Sequence, residues 1–526
     1  MGGELRAQAP QVDLASLVSL FPDASLAGGP TLEPPATGQV LVRGIELDSR
    51  QVLPGQVFAA LPGHRMHGIR FAKAALASGA AAILTDPDGL GQLRQHGLER
   101  VPVLVSPDPR AILGPLSARL YGNPAERLTM LGITGTNGKT TVASMIAAGL
   151  ESAGQLAGTI GTVGVSLGAK VHPVSRTTPE APHLQSMLAA MAAARVRAVA
   201  LEVSSHALCE HRVDGIVFEV SVFTNLSQDH LDYHGTMDDY FQAKATLFTP
   251  ERTAFAVICV DDAWGLRLAQ QAPVPGWTCS TTGQPADWRL GGEPGAWWID
   301  GPDGERQPLS IPLAGRFNLA NALCAYACLR RIGVPGPAIA AGLAQVRVPG
   351  RMEPIGSGSV RGIVDYAHSP DAIEAVIASV REQSAGRILV VLGAGGQRDQ
   401  GKRPLMGSAA ARLADVVLIT DDNPRSEDPA SIRSAIHEGA TSVTNGALAS
   451  GAAGVAEVLE VAGRAAAIEQ AVRLARPGEV VLVLGKGHEQ GQEIGGVVHP
   501  FDDREVLRAA LDARPDGSDR SPGATR

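Results

Sequence analysis

The sequence predicts an α/β protein built on parallel β-sheets and divided into about three domains. The chain has 526 residues, and a domain usually takes about 100–200 of them. Short apolar runs alternate with Ala-rich stretches of helical length, a pattern typical of βαβ units. Hydrophobic residues make up 44% of the chain and charged residues 19%. Large cores are therefore available, and global disorder is excluded.

Particular segments carry the predicted strands and boundaries. Pro-containing segments at 121–127 and 347–352 are candidate linkers. We therefore expect domains at 1–125, 126–349 and 350–512. A polar tail at 513–526 is expected to be disordered, and the small-residue segment 445–454 is interpreted as a flexible insertion. The predicted core strands are 128–134, 198–204, 388–393, 415–421 and 479–485.

Charge and composition exclude several classes of protein. The net charge of −8 leaves no basic excess with which to bind nucleic acid. No run of 18 apolar residues occurs, so no membrane span is expected. The five cysteines form no CxxC pair, which is typical of reduced thiols. With no signal peptide visible, we expect a soluble, cytoplasmic protein.

The segment LGITGTNGKTT, residues 131–141, is the strongest local signal. A strand runs into a Gly-rich turn, in which Gly135 and Gly138 let backbone N–H groups face an anion. Lys139 adds a positive charge, and Thr140 offers a hydroxyl to a nucleotide-bound Mg²⁺. The strict GxxxxGK[ST] pattern is not met, because position 133 is Ile133. An ordinary Gly-rich turn is the alternative, but the combination favours a nucleotide phosphate.

GTNGKTT resembles the ATP loop of the Mur ligases, the ATP-dependent amide ligases of peptidoglycan synthesis, and of their folate-polyglutamating relatives. Further motifs of that family follow in order, and the resemblance covers about residues 40–440 and 460–512. It implies an N-terminal UDP-binding α/β domain, a central P-loop ATPase-like domain and a C-terminal Rossmann-like domain. It also implies that the loop binds ATP through Gly135, Thr136, Asn137, Gly138, Lys139, Thr140 and Thr141.

A carboxylate and a histidine-rich turn follow the loop. Glu202 lies near the end of a predicted strand, and TNLSQDHLDYHG, residues 224–235, is dense in Asp and His. A solvated turn is one interpretation, and a Mg²⁺–ATP site is the other. From the sequence pattern, Lys244 is interpreted as an exposed helix lysine. The resemblance implies instead that this residue is an N6-carboxylated lysine. The metal ligands that the resemblance implies are Thr140, Glu202, His230 and carboxylated Lys244.

Other ATP contacts follow from the resemblance alone. GRFNLANALCAYA, residues 315–327, resembles an adenine-contact helix, and DYAHSP, residues 365–370, resembles a nucleotide-contacting segment of the third domain. That segment reaches ATP only if the third domain closes over the loop. The implied catalytic residues are Lys139, Lys244 and Arg351, and the further ATP contacts are Asn318, Asn321, Asp365 and His368.

DDNPRSEDP, residues 421–429, carries the choice of amino acid. As a pattern it is a Pro-containing turn, although the planar fork of Arg425 also suits a carboxylate. The resemblance is to ligases that add meso-diaminopimelate, because lysine-adding relatives lack this arginine. GKGHE, residues 485–489, resembles the family loop that contacts the same substrate. A second phosphate loop is the alternative, but no Ser or Thr follows Lys486. The implied diaminopimelate contacts are Arg398, Asp422, Asn423, Pro424, Arg425, Gly485 and Glu489.

The first domain and its neighbours are expected to hold the nucleotide sugar. The implied contacts to the UDP-muramoyl dipeptide are Leu47, Ser49, His64, Thr177, Thr178, Ser204, Glu210 and Arg212. The family usually has Gln where this chain has Glu210, and usually Asn where it has Arg176. A carboxylate at 210 repels an anionic substrate unless it is protonated or turned away.

The reaction that the resemblance implies joins meso-diaminopimelate to UDP-N-acetylmuramoyl-L-alanyl-D-glutamate, with ATP as co-substrate and Mg²⁺ as cofactor. Its partners are small molecules, and a monomer is expected. Four alternatives stay open: a P-loop NTPase switch, a non-catalytic muropeptide-binding protein, a lysine-adding ligase and a folate-polyglutamating ligase. DNPR, GKGHE, Lys139 and Lys244 favour the diaminopimelate ligase over each of them.

Overall fold

The structure is a computed structural model that describes residues 5–27, 40–63, 66–98, 101–449 and 455–514. Three large sheets organise the chain, and each takes its strands from a different one of the three expected domain ranges. The exact boundaries of the three domains, 1–125, 126–349 and 350–512, stay a prediction. Within the described ranges, no helix is both long and apolar enough to cross a membrane.

The first sheet has five strands. Its inner neighbours run parallel, and only the Ser25–Ala27 edge pairs antiparallel. A short antiparallel pair, Val12–Asp13 with Leu41–Val42, lies beside it. In spatial order the strands are Ser25–Ala27, Val103–Val105, Ala82–Thr85, Val57–Ala59 and Ile45–Glu46.

The second sheet has eleven strands, and it carries the phosphate loop on a central one. Its middle strands are parallel and almost wholly buried, as expected where helices cover both faces. In spatial order the strands are Lys170–His172, Gly164–Leu167, Ala157–Gly161, Ala198–Glu202, Thr129–Thr134, Val220–Phe223, Ala256–Cys259, Gly276–Ser280, Trp288–Glu293, Ala296–Asp300 and Arg306–Leu309.

The third sheet has six strands, and all its pairs except the first are parallel. The carboxyl ends of parallel strands meet at one edge, which is where ligands bind in open α/β sheets. The hairpin Gly491–Ile494 with Val497–Pro500 follows the last core strand. In spatial order the strands are Glu353–Ile355, Arg361–Asp365, Val480–Leu484, Ile388–Leu392, Val416–Ile419 and Glu457–Glu460.

Helices cover the faces of these sheets, packed through aliphatic side chains. The α-helices are Leu14–Val18, Ala72–Ala77, Pro87–Gln95, Pro109–Leu120, Lys139–Ser152, Ala181–Ala193, Ser205–Cys209, Leu231–His234, Met237–Ala245, Ala263–Gln271, Arg316–Arg331, Gly336–Leu343, Pro370–Gln383, Lys402–Leu413, Pro429–Ala449, Arg464–Leu474 and Asp503–Asp512. Short 3-10 turns lie at Gly68–Phe71, Pro124–Arg127, Thr246–Phe248 and Pro302–Gly304.

The five predicted core strands are all present, with ends that differ from the prediction by one or two residues. The flexible insertion is wrong for 445–449, where the helix Pro429–Ala449 continues. Ala and Leu are strong helix formers, and extending an existing helix needs no new nucleation. Residues 450–454 and 515–526 lie outside the described residues. Of the expected tail, Ala513 caps the last helix and Arg514 donates to the Val472 carbonyl at 2.9 Å.

Candidate active site

The phosphate loop lies between the strand Thr129–Thr134 and the helix Lys139–Ser152. Gly138 is in the left-handed region, with a φ of 88°, and a Cβ built there would lie 2.3 Å from the Asn321 Oδ1 atom. The helix Arg316–Arg331 therefore packs directly on the loop. Asn321 in turn donates to the Asn318 side chain at 3.3 Å, so the two predicted adenine contacts form one group beside the loop.

Two lysines converge on the start of the loop. Lys139 donates to the carbonyl oxygens of Gly135 and Thr136, at 2.8 and 2.9 Å. Lys244 donates to the same Gly135 oxygen at 2.9 Å, and its side chain is only 1% exposed. The interpretation of Lys244 as an exposed helix lysine is therefore wrong, because the helix Met237–Ala245 turns this face inward. Burial, and then the charge of Lys139, lower the pKa of Lys244 well below its usual value.

Glu202 ends its strand as expected and is buried beside the loop. Its carboxylate accepts hydrogen bonds from the Thr162 backbone N–H at 2.9 Å and from the Thr162 hydroxyl at 3.0 Å. Its backbone oxygen accepts from the Thr178 hydroxyl at 2.7 Å. Thr177 lies 3.1 Å from the Thr162 hydroxyl. The predicted metal-side carboxylate and the predicted dipeptide-side threonines are thus joined in one network.

Asp229 is a site residue that the sequence analysis did not single out, although it lies in the dense Asp/His segment. It is buried, and its carboxylate pairs with Lys402 at 3.0 Å, His230 at 3.5 Å and His368 at 3.6 Å. Burial alone would raise the pKa of Asp229, but the two histidines and Lys402 outweigh it and hold that pKa well below the usual value. Burial also lowers the pKa of His230 to about 3.

Rings pack around His230 in a cluster that the motifs did not indicate. The His206 ring contacts His230 edge-on at 4.9 Å and lies against Tyr233 at 4.2 Å. His234 extends the cluster toward Tyr240, whose ring lies 4.6 Å from the Lys244 Nζ atom. Tyr240 thus contacts Lys244 and lies 6.2 Å from the His230 ring, so the cluster links the two residues.

Arg351 lies just before Glu353–Ile355, the first strand of the third sheet, and its side chain contacts the phosphate loop. Its guanidinium donates to the Thr140 hydroxyl at 3.3 Å and stacks on the Tyr366 ring at 4.2 Å. Asp365 does not face outward, because its buried carboxylate accepts from the backbone N–H groups of Met352, at 2.7 Å, and Ala367, at 2.8 Å. Burial raises the pKa of Asp365. Asp365 therefore stabilises the turn that carries Arg351.

One cleft joins the histidine-rich turn to the predicted amino-acid loops. It brings together Arg398, Asp422, Asn423, Arg425, Gly485 and Glu489 as the sequence analysis expected, while Pro424 is not among the lining residues. Gly396 packs instead against the Pro424 carbonyl. The lining residues are Asp229, His230, Asp232, Tyr366, His368, Gly393, Ala394, Gly395, Arg398, Asp399, Lys402, Met406, Asp422, Asn423, Arg425, Gly485 and Glu489.

Arg425 is held in place from two sides. Its Nη1 atom donates to the Gly396 carbonyl at 2.6 Å, and its Nε atom lies 3.4 Å from the Glu493 carboxylate. Its backbone has a φ of 54° and bonds to the hairpin strand, with the N–H donating to the Glu493 carbonyl at 3.0 Å. The guanidinium is therefore preorganised at the cleft, and Glu493 is a partner that the sequence did not reveal.

The turn that is predicted to bind the sugar nucleotide packs on Glu46, a buried carboxylate that the sequence analysis missed. It accepts from the Leu47 backbone N–H at 2.9 Å and lies 3.1 Å from the His183 Nε2 atom. Leu47 and the buried Ser49 thus belong to a turn that is bonded, through Glu46 and His183, to the helix Ala181–Ala193. His64 lies outside the described residues.

Glu210 is neutralised by an arginine from another part of the chain. The Arg110 guanidinium lies 3.0 Å from the Glu210 carboxylate and 3.4 Å from Glu180. Arg212 pairs with Glu180 at 3.0 Å and donates to the Thr178 carbonyl at 3.3 Å. The Ser204 backbone N–H donates to the Thr178 hydroxyl at 3.1 Å. The repulsion expected from Glu210 is therefore offset by an ion pair.

No group of three or more His, Cys, Asp or Glu side chains that could hold a metal ion occurs in the described part of the chain. The predicted ligand set needs the Thr140 hydroxyl and a modified lysine in addition to Glu202 and His230, so it stays a prediction. Cys324 and Cys328 are buried free thiols in the core.

Comparison with known families gives matches along most of the chain. The Mur ligase family, catalytic domain, matches residues 41–119, the Mur ligase middle domain residues 133–329, and the Mur ligase, glutamate ligase domain, residues 350–487. These three ranges contain the turn at Leu47, the phosphate loop with Lys244, and most of the residues that line the cleft around Arg425.

Individual proteins are similar over nearly their whole length. The UDP-N-acetylmuramoyl-L-alanyl-D-glutamate–2,6-diaminopimelate ligase of Streptomyces coelicolor is 48% identical over 502 residues, covering 94% of this chain and 97% of that protein. The ligase of the same name from Corynebacterium glutamicum is 46% identical over 511 residues, covering 95% and 97%. A solved structure of such a ligase is 32% identical, with a TM-score of 0.63 over 96% of this chain and 99% of that chain.

Proposed function

This chain belongs to the Mur ligase family, and we propose that it is the ligase that adds meso-diaminopimelate to UDP-N-acetylmuramoyl-L-alanyl-D-glutamate in peptidoglycan synthesis. The observation that carries the choice of amino acid is the preorganised Arg425 guanidinium in a cleft that Asp422 and Glu489 also line. A guanidinium and two carboxylates match the distal carboxylate and ammonium of diaminopimelate.

The reaction has two steps. A carboxylate is a poor acyl donor because its leaving group would be oxide. The substrate carboxylate oxygen first takes the γ-phosphoryl group of ATP, which releases ADP and gives an acyl phosphate. The amine of diaminopimelate then attacks the acyl carbon, so that an amide bond forms and phosphate leaves. The protein contributes positioning and charge neutralisation.

The phosphate loop supports the first step. The Lys139 ammonium is held by two loop carbonyls, and we expect it to exchange them for phosphate oxygens when ATP binds. Arg351 lies at the other side of the loop, bonded to Thr140 and stacked on Tyr366. A rigid planar guanidinium in this place offsets the charge of the phosphoryl group as it is transferred.

Mg²⁺ is part of the proposal, since Thr140, Glu202 and a carbamate on Lys244 would supply the oxygen donors that this ion prefers, and His230 would supply a nitrogen donor. Bound Mg²⁺ would supply charge neutralisation at the phosphates. The lowered pKa of Lys244 favours its neutral amine. A neutral amine adds to CO₂ with loss of one proton, which gives N6-carboxylysine and turns a cation into an anion.

An assay of phosphate release tests the proposed function. Phosphate is measured with ATP, Mg²⁺ and the UDP-muramoyl dipeptide, in parallel with meso-diaminopimelate and with L-lysine. We expect release with diaminopimelate only, because lysine offers no distal carboxylate to the Arg425 guanidinium, which lowers activity about 10²-fold or more. Arg425→Ala should abolish that preference. Arg412→Ala, an arginine paired with Glu374 away from the cleft, is the matched control.

The outcomes separate the candidates. Equal turnover with lysine would keep the ligase and remove the diaminopimelate assignment. Phosphate release without any amine would indicate an NTPase instead. A cytoplasmic location and a monomeric state belong to the same proposal; the first follows from the supply of ATP, and gel filtration of the purified chain tests the second.

A further inference from the structure

Lys486 is a fully buried cation at the amino-acid cleft. It follows the central strand Val480–Leu484, and its side chain is 0% exposed. Lysine is almost never fully buried unless it is paired, because removing an ammonium from water is unfavourable. The position of Lys486 therefore needs partners that hold it there.

Those partners are two residues of the cleft. The Lys486 Nζ atom donates to the Glu489 Oε2 atom at 2.8 Å and to the Asn423 Oδ1 atom at 3.0 Å. The Asn423 Nδ2 atom donates to the same Glu489 Oε2 atom at 2.8 Å. The three side chains form a closed triangle, in which each one contacts both others. Glu489 and Asn423 line the cleft, whereas Lys486 lies behind them.

The triangle leaves one carboxylate oxygen of Glu489 for a ligand. Lys486 and Asn423 both bind Oε2, and no hydrogen bond to Oε1 occurs among the residues that the structure describes. The backbone turn helps, since the Glu489 N–H donates to the Lys486 carbonyl at 3.0 Å and brings the two side chains to the same side. A carboxylate with one oxygen fixed has its second oxygen in a defined direction.

Asn423 is oriented in the same way. Its Oδ1 atom accepts from Lys486 and from the Glu493 backbone N–H at 3.0 Å. The amide nitrogen must then face Glu489, because an amide oxygen accepts and an amide nitrogen donates. Lys486 is therefore the element that decides the orientation of both neighbours.

We propose that Lys486 is a positioning residue for the amino-acid substrate, which presents Glu489 Oε1 to the ammonium group at the distal end of that substrate. This inference rests on the proposed function. It predicts that Lys486 acts on the second step, in which the amine attacks, and leaves the formation of the acyl phosphate intact.

The test uses the purified enzyme and two nucleophiles. Wild type and Lys486→Met are assayed for amide formation with meso-diaminopimelate, and for hydroxamate formation with hydroxylamine, which attacks an acyl phosphate without an amino-acid site. We expect the KM for diaminopimelate to rise about tenfold or more, while the KM for ATP and the hydroxamate rate change by less than about twofold.

A double-mutant cycle then shows whether Lys486 acts through Glu489. If it does, adding Lys486→Met to Glu489→Gln should change the KM for diaminopimelate by less than about threefold, because the oriented carboxylate is already lost. Effects that multiply would overturn the proposal. Loss of hydroxamate formation in Lys486→Met would overturn it too, because the lysine would then serve the whole fold. Failure of wild type in both assays would instead count against the proposed function.

Discussion

Lys139 and Lys244 donate hydrogen bonds to the same backbone oxygen, the carbonyl of Gly135, at 2.8 and 2.9 Å. Lys139 begins the helix after the phosphate loop, and Lys244 comes from the helix Met237–Ala245. Two ammonium groups at one buried acceptor repel each other, and this repulsion adds to burial in lowering the pKa of Lys244. The loop thus keeps a second lysine whose neutral form is favoured.

We expect Lys244 to carry a carbamate when CO₂ is present. With isotopically labelled bicarbonate, the wild-type protein should show a carbamate signal by NMR, and Lys244→Met should lack it. Activity should fall in CO₂-free buffer and recover when bicarbonate is added. Lys73→Met, at an exposed helix lysine, is the control and should keep the signal. A signal that survives Lys244→Met would place the carbamate elsewhere.

The ion pair between Arg110 and Glu210 should govern the binding of the UDP-muramoyl dipeptide. Arg110→Gln removes a positive charge that lies 3.0 Å from the Glu210 carboxylate, so repulsion of the anionic substrate should increase and its KM should rise about tenfold. Glu210→Gln together with Arg110→Gln removes the repulsion, and the KM should return to within about threefold of wild type. Steady-state kinetics measures both.

The matched control for this pair is Arg176→Gln. Arg176 is more than half exposed and pairs with Glu180 at 3.3 Å, but no ion pair joins it to Glu210 in the described structure. Its loss should change the KM by less than about threefold. If the double variant bound the substrate as weakly as Arg110→Gln, the arginine would act directly on the substrate and not through Glu210.

Asp229 and Lys402 join the second and third sheets through a buried ion pair at 3.0 Å. Lys402→Met leaves a buried carboxylate without its ammonium, so kcat should fall about tenfold or more. The variant should also be more extended in solution, which small-angle scattering measures. Lys402→Arg keeps the charge and should lose less activity. A Met variant with wild-type kcat and scattering would show that the pair does not hold the two parts together.

His488 should make the protein sensitive to acid. Its Nε2 atom lies 3.2 Å from the Thr162 carbonyl, and its Nδ1 atom is buried with no hydrogen-bond partner in the described chain. Burial, and then Arg351, lower the pKa of His488 to about 4, against about 6.5 in an unfolded chain. As the pH falls, the unfolded chain binds the proton first, so the stability that is full above about pH 6.5 is lost toward about pH 4.

At about pH 5 this difference lowers the free energy of unfolding by about 2 kcal/mol relative to neutral pH. Thermal unfolding of wild type and His488→Gln, at neutral pH and at pH 5, measures the effect. Glutamine can donate to Thr162 and does not titrate, so the variant should lose less stability on acidification. An equal loss in both proteins would assign the acid sensitivity to other groups.

Local patterns determined much of this protein. The strand, Gly-rich turn and helix around Lys139 are contiguous in sequence, and so are DNPR and GKGHE, which made the phosphate loop and the amino-acid loops predictable. The buried parallel strands showed as continuous apolar runs because helices cover both of their faces. The interpretation of 445–449 as a flexible insertion failed, because composition alone does not show that a helix already formed will continue.

The tertiary structure decided which charges meet. Lys402 and Asp229 are 173 residues apart, and no periodicity or motif spacing indicates such a pair. Arg110 reaches Glu210 from a helix that follows a strand of the first sheet, whereas Glu210 ends a helix that follows a strand of the second. Lys486 reaches Asn423 because the carboxyl ends of two strands of the third sheet lie at one edge. Sequence therefore identified the chemical groups of the site, whereas their pairing, burial and pKa values depend on long-range packing that a linear pattern does not contain.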